Sequence, residues 1–252
     1  MKVTLLQIDS KWMDERGNIL RATALMDSQS GSDLYVLPEM WSTGFVTDTM
    51  ENVPDEKHSV ALQWMKEEAA RRRCAICGSL AVRDDEGAYR NRLYFVDGRH
   101  DRVAYYDKHH LFSYGGENLH YTPGQHHTIV EYEGMRILLL TCYDLRFPCW
   151  IRYADNRAYD VILLVANWPQ GRQSAWQILT AARAIENQSY FIGVNRVGDD
   201  IVTHYIGGSC AIDPIGRTMV SLGDTAEAVS VELSQSELLR RRKKFPVLDD
   251  RD

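Results

Sequence analysis

Short apolar or alternating runs bounded by turn residues recur from one end of the chain to the other, interleaved with a few helical patterns and never divided by a Pro-, Ser- or Gly-rich linker. That pattern restricts the chain to sheets covered by helices. With 252 residues and no internal repeat, it predicts one domain spanning residues 1–252. Strands are expected at Val3–Ile8, Leu34–Leu37, Ala75–Val82, Arg92–Val96, Arg102–Tyr106, Thr128–Tyr132, Met135–Thr141, Val161–Val165 and Tyr190–Asn195, with three more between Thr203 and Val231. Helices are expected at Asn18–Gln29, Ser59–Arg73, Pro148–Asn156, Gln173–Asn187 and Ser234–Arg242. Turn signals such as Asp84-Asp85-Glu86-Gly87, Asp97-Gly98, Glu133-Gly134 and Asp213-Pro214-Ile215-Gly216 make some neighbouring strands antiparallel hairpins. Strand–helix–strand stretches imply parallel pairing elsewhere, so the sheets are mixed.

The formal net charge of -6 gives no reason to expect nucleic acid or an anionic membrane as a partner, and a small molecule fits better. No apolar run approaches the roughly 20 residues of a membrane-spanning helix, and the N-terminus reads directly as a strand rather than a signal peptide. Five cysteines, an odd number, argue for reduced thiols and a cytoplasmic address rather than a disulfide framework.

The most informative stretch runs from Met135 through Thr141-Cys142-Tyr143-Asp144-Leu145-Arg146-Phe147-Pro148. It is a buried strand that ends at a cysteine and turns into a helix, where backbone amides and the macrodipole favour a thiolate. A buried cysteine can equally be a small core hydrophobe. A thiol nucleophile needs a proton acceptor and an oxyanion stabiliser, and two other strand ends supply the residue types. Leu34-Tyr35-Val36-Leu37-Pro38-Glu39 terminates on a carboxylate, and Val103-Ala104-Tyr105-Tyr106-Asp107-Lys108 runs into a lysine followed by His109-His110. Three reactive side chains at three strand ends form a constellation, although each alone could be a solvated strand end.

At these residues the chain resembles the nitrilase superfamily of carbon–nitrogen hydrolases, and within it the bacterial omega-amidase branch. The carriers are Leu37-Pro38-Glu39 with Thr43-Gly44-Phe45, then Tyr106-Asp107-Lys108-His109-His110-Leu111-Phe112, then Cys142-Tyr143-Asp144-Leu145-Arg146-Phe147-Pro148. Ala182-Arg183-Ala184-Ile185-Glu186-Asn187-Gln188, Asn195-Arg196-Val197-Gly198 and Asp213-Pro214-Ile215-Gly216 add to them. The resemblance implies an α-β-β-α four-layer sandwich, two mixed sheets with helices on the outer faces, paired into a homodimer or higher homo-oligomer. It implies a triad of Glu39 as general base, Lys108 as fixed positive charge and Cys142 as nucleophile, with the backbone N–H of Tyr143 completing an oxyanion hole. A second glutamate of the family falls on Glu117, before Pro123-Gly124, where it would position the substrate amide or the hydrolytic water. No cofactor and no metal are implied.

Omega-amidases cleave the terminal amide of short 2-keto acids such as 2-oxoglutaramate, so the pocket needs a cation for the far carboxylate. Arg146, one helical turn after Cys142, is the first candidate, the alternative being an ion pair with Asp144 or Glu186. Arg172 is the second, and Trp168 would wall the pocket. An N-carbamoyl-amino-acid hydrolase and a catalytically silent metabolite-binding relative remain open as rival functions. Three further signals read as structural. Cys74-Ala75-Ile76-Cys77 lies inside a strand pattern rather than at a helix start. His109-His110 and His126-His127 lack metal-ligand spacing. Arg240-Arg241-Arg242-Lys243-Lys244 is expected to be a solvated helix cap.

Overall fold

The strand periodicity resolves into two six-stranded mixed sheets packed face to face, in a computed structural model that describes residues 1–251. The first half of the chain carries β1 (Lys2–Gln7), α1 (Glu15–Ser28), β2 (Leu34–Val36), α2 (Val60–Arg72), β3 (Ala75–Arg83), β4 (Tyr89–Asp97), β5 (Arg102–Asp107) and α3 (Glu117–His120). The second half carries β6 (Ile129–Tyr132), β7 (Met135–Thr141), α4 (Pro148–Ile151), β8 (Val161–Ala166), α5 (Gln173–Glu186) and β9 (Tyr190–Asn195). It ends with β10 (Val197–Asp199), β11 (His204–Ile206), β12 (Cys210–Ile212), β13 (Thr218–Ser221), β14 (Glu227–Glu232) and α6 (Gln235–Lys244). One sheet has the order β14-β1-β2-β3-β4-β5 and the other β13-β12-β9-β8-β7-β6, while β10 and β11 form a separate hairpin.

Both sheets are built alike: three adjacent parallel strands (β1, β2, β3 and β7, β8, β9) flanked by antiparallel ones. Alternation along each strand divides the core between two layers. Val3, Leu5, Leu34, Val36, Ala75 and Cys77 face the second sheet, against residues such as Leu138 and Leu140. Leu6, Tyr35, Leu37 and Ile76 point the other way, onto Ala22 and Met26 of α1 and Ala61, Met65 and Ala69 of α2. α5 covers the outer face of the second sheet with Trp176, Thr180, Arg183 and Ala184, a helical stripe at spacings of four and three. The result is the α-β-β-α sandwich that the resemblance implies.

Local signals set most boundaries. Ser59 accepts the Leu62 N–H at 3.2 Å to start α2, and Arg73 ends it in the left-handed region at φ 53°. Glu133 and Gly134, at φ 47° and 75°, make the two-residue turn that fixes the β6–β7 register.

Three expectations need correction. Four strands, not three, begin between Thr203 and Val231, and Val197–Asp199 before them is also extended, where the Val197 N–H bonds Ile8 O at 3.0 Å. The helix expected over Pro148–Asn156 stops at Ile151, because the Tyr153 N–H goes to the Asn187 side chain at 2.8 Å instead of back into a helix. Within the basic run, Arg242 is not a solvated cap; it docks α6 by donating to Asp160 at 3.0 Å, Tyr159 O at 2.8 Å and Gln188 O at 3.0 Å. Cys74 and Cys77 are buried against opposite layers of the first sheet, with no disulfide between them.

Candidate active site

The C-terminal ends of parallel strands converge at one end of the sandwich, the usual place for a ligand site in sheets of this kind. Cys142 stands one residue beyond β7, Asn167 one beyond β8 and Glu39 three beyond β2, while Lys108 follows β5 in the first sheet. Glu117 opens the short α3 that the Ser113–Gly116 turn delivers to the same place. The structure therefore brings together Glu39, Lys108, Glu117 and Cys142, all of them buried.

Charge balance explains why four such groups tolerate burial. Lys108 Nζ donates to Glu39 Oε1 at 2.9 Å and to Glu117 Oε2 at 2.8 Å, leaving one of its three protons for the pocket. Glu39 Oε2 accepts the Asn167 N–H at 2.8 Å, and Glu117 Oε2 accepts the Phe112 N–H at 2.6 Å. The Asn91 amide donates to both carboxylates, at 2.7 Å to Glu39 and 2.8 Å to Glu117. Burial alone would pull the Lys108 ammonium down, but the carboxylates of Glu117 and Glu39 hold it above its ordinary range. Burial pushes the Glu117 carboxyl up despite the opposing pull of Lys108, and the Glu39 charge adds to the rise.

Cys142 begins a five-residue 3-10 turn, Cys142–Arg146, with φ 45°, a conformation rare for any residue but glycine. Asp144 pins that turn. Its carboxylate accepts the Thr141 N–H at 3.0 Å, the His110 N–H at 3.0 Å and the Tyr106 hydroxyl at 2.8 Å, tying the cysteine turn to the loop that carries Lys108. The thiol is not prepared as the helix-dipole argument expects. Burial, and after it the Glu39 carboxylate, pushes it well above the ordinary thiol range, because a five-residue turn offers little dipole against complete desolvation. Burial of this kind favours the protonated thiol, so attack by the sulfur calls for a base beside it.

In front of Cys142 and Lys108 lies a cavity of about 340 Å³. Tyr143, Arg146, Trp168 and Arg172, each expected at the substrate, all line it, together with Phe45, Phe112 and Tyr114. Arg146 lies over the Trp168 ring at 5.1 Å and Arg172 over Phe112 at 5.0 Å. The ion-pair alternative for Arg146 is not what the structure holds: Asp144 is committed to the cysteine turn and Glu186 pairs with Arg183 at 3.1 Å. Among the described residues neither Arg146 nor Arg172 is paired with a carboxylate, so two cations face a small cavity open to an anion.

Some lining was not legible in advance. Asp200, Ile201, Val202 and Thr203 form the tip of the β10–β11 hairpin over the mouth. Asn91 and Asn167 hold the carboxylates; neither is charged, and only its place after a buried strand could have marked Asn167. The Pro123-Gly124 pair has a mechanical reason. The Gly124 N–H donates to Lys108 O at 3.0 Å, and a Cβ there would stand 2.2 Å from Asp107 O, inside rigid backbone. Gly124→Ala is expected to cost about 1–3 kcal/mol and to lower Tm by about 5 °C while displacing Lys108, seen as a loss of activity in protein that still unfolds cooperatively. A Tm and an activity both equal to the native values would refute it.

Comparison with known proteins follows the same lines. The sequence profile described as carbon–nitrogen hydrolase matches residues 2–244. The chain is 41% identical over 257 residues to the omega-amidase YafV of Yersinia enterocolitica, covering 100% of this chain and 97% of that protein. It is 33% identical to a 2-oxoglutaramate amidase of Bacillus subtilis, covering 98% and 96%. Among solved structures, XC1258 of Xanthomonas campestris superposes with a TM-score of 0.95 at 36% identity over 100% of this chain and 97% of that one; it is described as a CN-hydrolase superfamily protein with an arsenic adduct in the active site.

Proposed function

This chain belongs to the carbon–nitrogen hydrolase family, and we propose that within it the protein is an omega-amidase that releases ammonia from the terminal amide of short 2-keto dicarboxylic acids such as 2-oxoglutaramate. The observation that carries this reading is the pair of carboxylate-free guanidiniums, Arg146 and Arg172, in the small cavity fronting Cys142 and Lys108. A substrate with an amide at one end and a carboxylate at the other spans such a cavity. The amide lies at the cysteine and the acid at the arginines.

In the proposed mechanism Cys142 attacks the amide carbonyl as its proton passes to Glu39. The thiol's raised affinity for its proton makes that base necessary, and the Asn167 and Asn91 hydrogen bonds orient the Glu39 carboxylate for it. The tetrahedral oxyanion accepts hydrogen bonds from the remaining Lys108 N–H and from the Tyr143 N–H, which lies in the first turn of the 3-10 segment and needs no partner within it. Glu39 returns the proton to the departing nitrogen, giving ammonia and a thioester. Water then adds to the thioester with Glu39 as base, releasing the acid and restoring the thiol. Glu117, bonded to Lys108 and Asn91, fixes the lysine from behind.

The test is ammonia release from 2-oxoglutaramate and from a simple acyl amide. Arg146→Ala is expected to raise KM for 2-oxoglutaramate by about 10–100-fold, the worth of a charge-assisted hydrogen bond, and to leave KM for the acyl amide unchanged. An equal change for both substrates would remove Arg146 from carboxylate recognition. Ammonia accompanied by carbon dioxide from N-carbamoyl amino acids, with no turnover of 2-oxoglutaramate, would move the assignment to the carbamoyl hydrolases.

Two further readings belong to this proposal. All five cysteines are free thiols among the described residues, which supports a reducing, cytoplasmic setting. Ile178 and Ile185, seven residues apart on one face of α5, stand exposed; this apolar face supports pairing into a homodimer.

A further inference from the structure

Asn91 is the third residue of β4, almost fully buried, and hydrogen-bonds Glu39, Glu117 and Lys108. Its side-chain amide donates one proton to Glu39 Oε1 at 2.7 Å and one to Glu117 Oε1 at 2.8 Å. Its backbone carbonyl accepts the Lys108 N–H at 3.0 Å. The orientation of the amide is fixed from behind: the Ser79 hydroxyl donates to Asn91 Oδ1 at 2.9 Å, and Ser79 Oγ in turn accepts the Met40 N–H at 2.8 Å. Met40 follows Glu39 directly and carries φ 40°, so this hydrogen bond also holds the strained backbone that presents the carboxylate. With its oxygen committed to Ser79, both protons of the amide face the two glutamates. The reverse orientation would set an oxygen against two carboxylates.

We propose that Asn91 is a positioning residue that holds the Glu39 and Glu117 carboxylates apart, each on its own amide proton, and thereby presents Glu39 to the Cys142 thiol for the reaction. Two buried carboxylates that meet on one cation tend to share a proton, since like charges in a dry site cannot both ionise cheaply. Lys108 bridges them on one side, at Glu39 Oε1 and Glu117 Oε2. Asn91 bridges them on the other and closes the ring with two donors that favour the charged form of each. The remaining titratable groups facing the pair are Cys142, Tyr121, whose hydroxyl donates to Val46 O, and Tyr205, whose hydroxyl donates to Asp200. Of these three only Cys142 reaches the pair, at Glu39, and none bridges both carboxylates as Asn91 does. The inference rests on the amidase reading only in taking Glu39 as the base.

Asn91→Leu keeps the volume and removes both donors. Losing a hydrogen bond to the charged form moves a carboxyl upward, and activity that needs the carboxylate is lost as pH falls through the new, higher value. The acid limb of kcat/KM for 2-oxoglutaramate is expected to move up by about one pH unit, the worth of one charge-assisted hydrogen bond, with about tenfold lost at any pH below it and KM little changed. Ser79→Ala, which frees the amide to turn, is expected to shift the limb in the same direction by less. Alkylation of Cys142 by iodoacetamide, followed against pH by mass spectrometry of its peptide, needs no substrate and is expected to shift by the same amount. Should the native protein release no ammonia from 2-oxoglutaramate, the functional reading falls while the alkylation profile still decides the role of Asn91. Profiles of Asn91→Leu that keep the native limb, whatever the overall loss, overturn the proposal; if that variant does not fold, a native limb in Ser79→Ala does so.

Discussion

Cys142→Ala is expected to abolish ammonia release from 2-oxoglutaramate, a fall of about 10⁵-fold or more, while the protein keeps its fold. The size follows from the proposed chemistry: without sulfur there is no thioester, and Glu39 and Lys108 have no nucleophile to serve. The stability side of the prediction follows from geometry. Cys142 holds φ 45°, which costs a residue with a Cβ about 1–3 kcal/mol, and its thiol is buried beside a carboxylate. Alanine keeps the backbone strain but loses little packing, so Tm should stay within about 2 °C of native. Cys142→Gly removes the strain and should be at least as stable as the alanine variant, though equally inactive. Calorimetry with the ammonia assay separates the two effects. Ammonia release that survives in Cys142→Ala would remove the nucleophile assignment, and a collapse of Tm would mean the thiol serves the core instead.

The proposed catalytic constellation was marked in the sequence because charge is conspicuous where a buried strand ends. Glu39 after Leu34-Tyr35-Val36 and Lys108 after Tyr105-Tyr106 are costly unless paired, and their pairing is what the structure holds. Glu117 was legible only through the resemblance, since Ser113-Tyr114-Gly115-Gly116 looks like any surface loop. Asn91 was not legible at all. In Tyr89-Arg90-Asn91-Arg92 it stands between arginines, a context that reads as a solvated strand face. Arg92 is instead buried by bidentate bonds to Asp107 at 2.7 and 3.0 Å, leaving Asn91 on the opposite face, toward the carboxylates. A neutral amide gains its role from what surrounds it, and the surroundings are assembled from β2, β5 and α3, far apart in the chain.

The same division holds for the fold. Long, strongly apolar strands such as Met135–Thr141 and Val161–Ala166, the latter expected one residue shorter, were read because nearly every residue meets a packed layer. Short elements did not: Val197–Asp199 contains Gly198 and resembles a turn, and it is extended only by the bond to Ile8 and pairing with His204–Ile206. The state of the thiol also escaped the sequence. A cysteine at a strand-to-helix turn suggests a thiolate, but the balance between turn dipole and desolvation depends on burial, and burial wins.

Lys108→Met is expected to be the most damaging substitution for activity and stability together. Among the described residues Lys108 is the only cation in contact with Glu39 and Glu117, so the variant leaves two buried carboxyl groups without a counter-charge. Removing one partner from a buried ionic group costs about 3–5 kcal/mol, and for a chain of 252 residues that lowers Tm by about 10 °C. Methionine is chosen because it nearly preserves volume, so the loss is electrostatic rather than a cavity. Its pH dependence has a definite sign. Glu117 is already pushed above the ordinary glutamate range by burial, and Lys108 is the largest influence holding it down. Without Lys108 the folded-state carboxyl rises further above its unfolded value, so the folded form binds a proton the unfolded chain does not. The deficit in Tm against native should therefore shrink as pH falls through that raised value toward the ordinary range near about 4.3, and be largest above it. Activity should be lost at all pH values, because the oxyanion has lost its cation. Unfolding curves across pH for native and variant decide the point: a constant deficit would mean that Lys108 contributes packing rather than charge, and retained turnover would remove it from the oxyanion site.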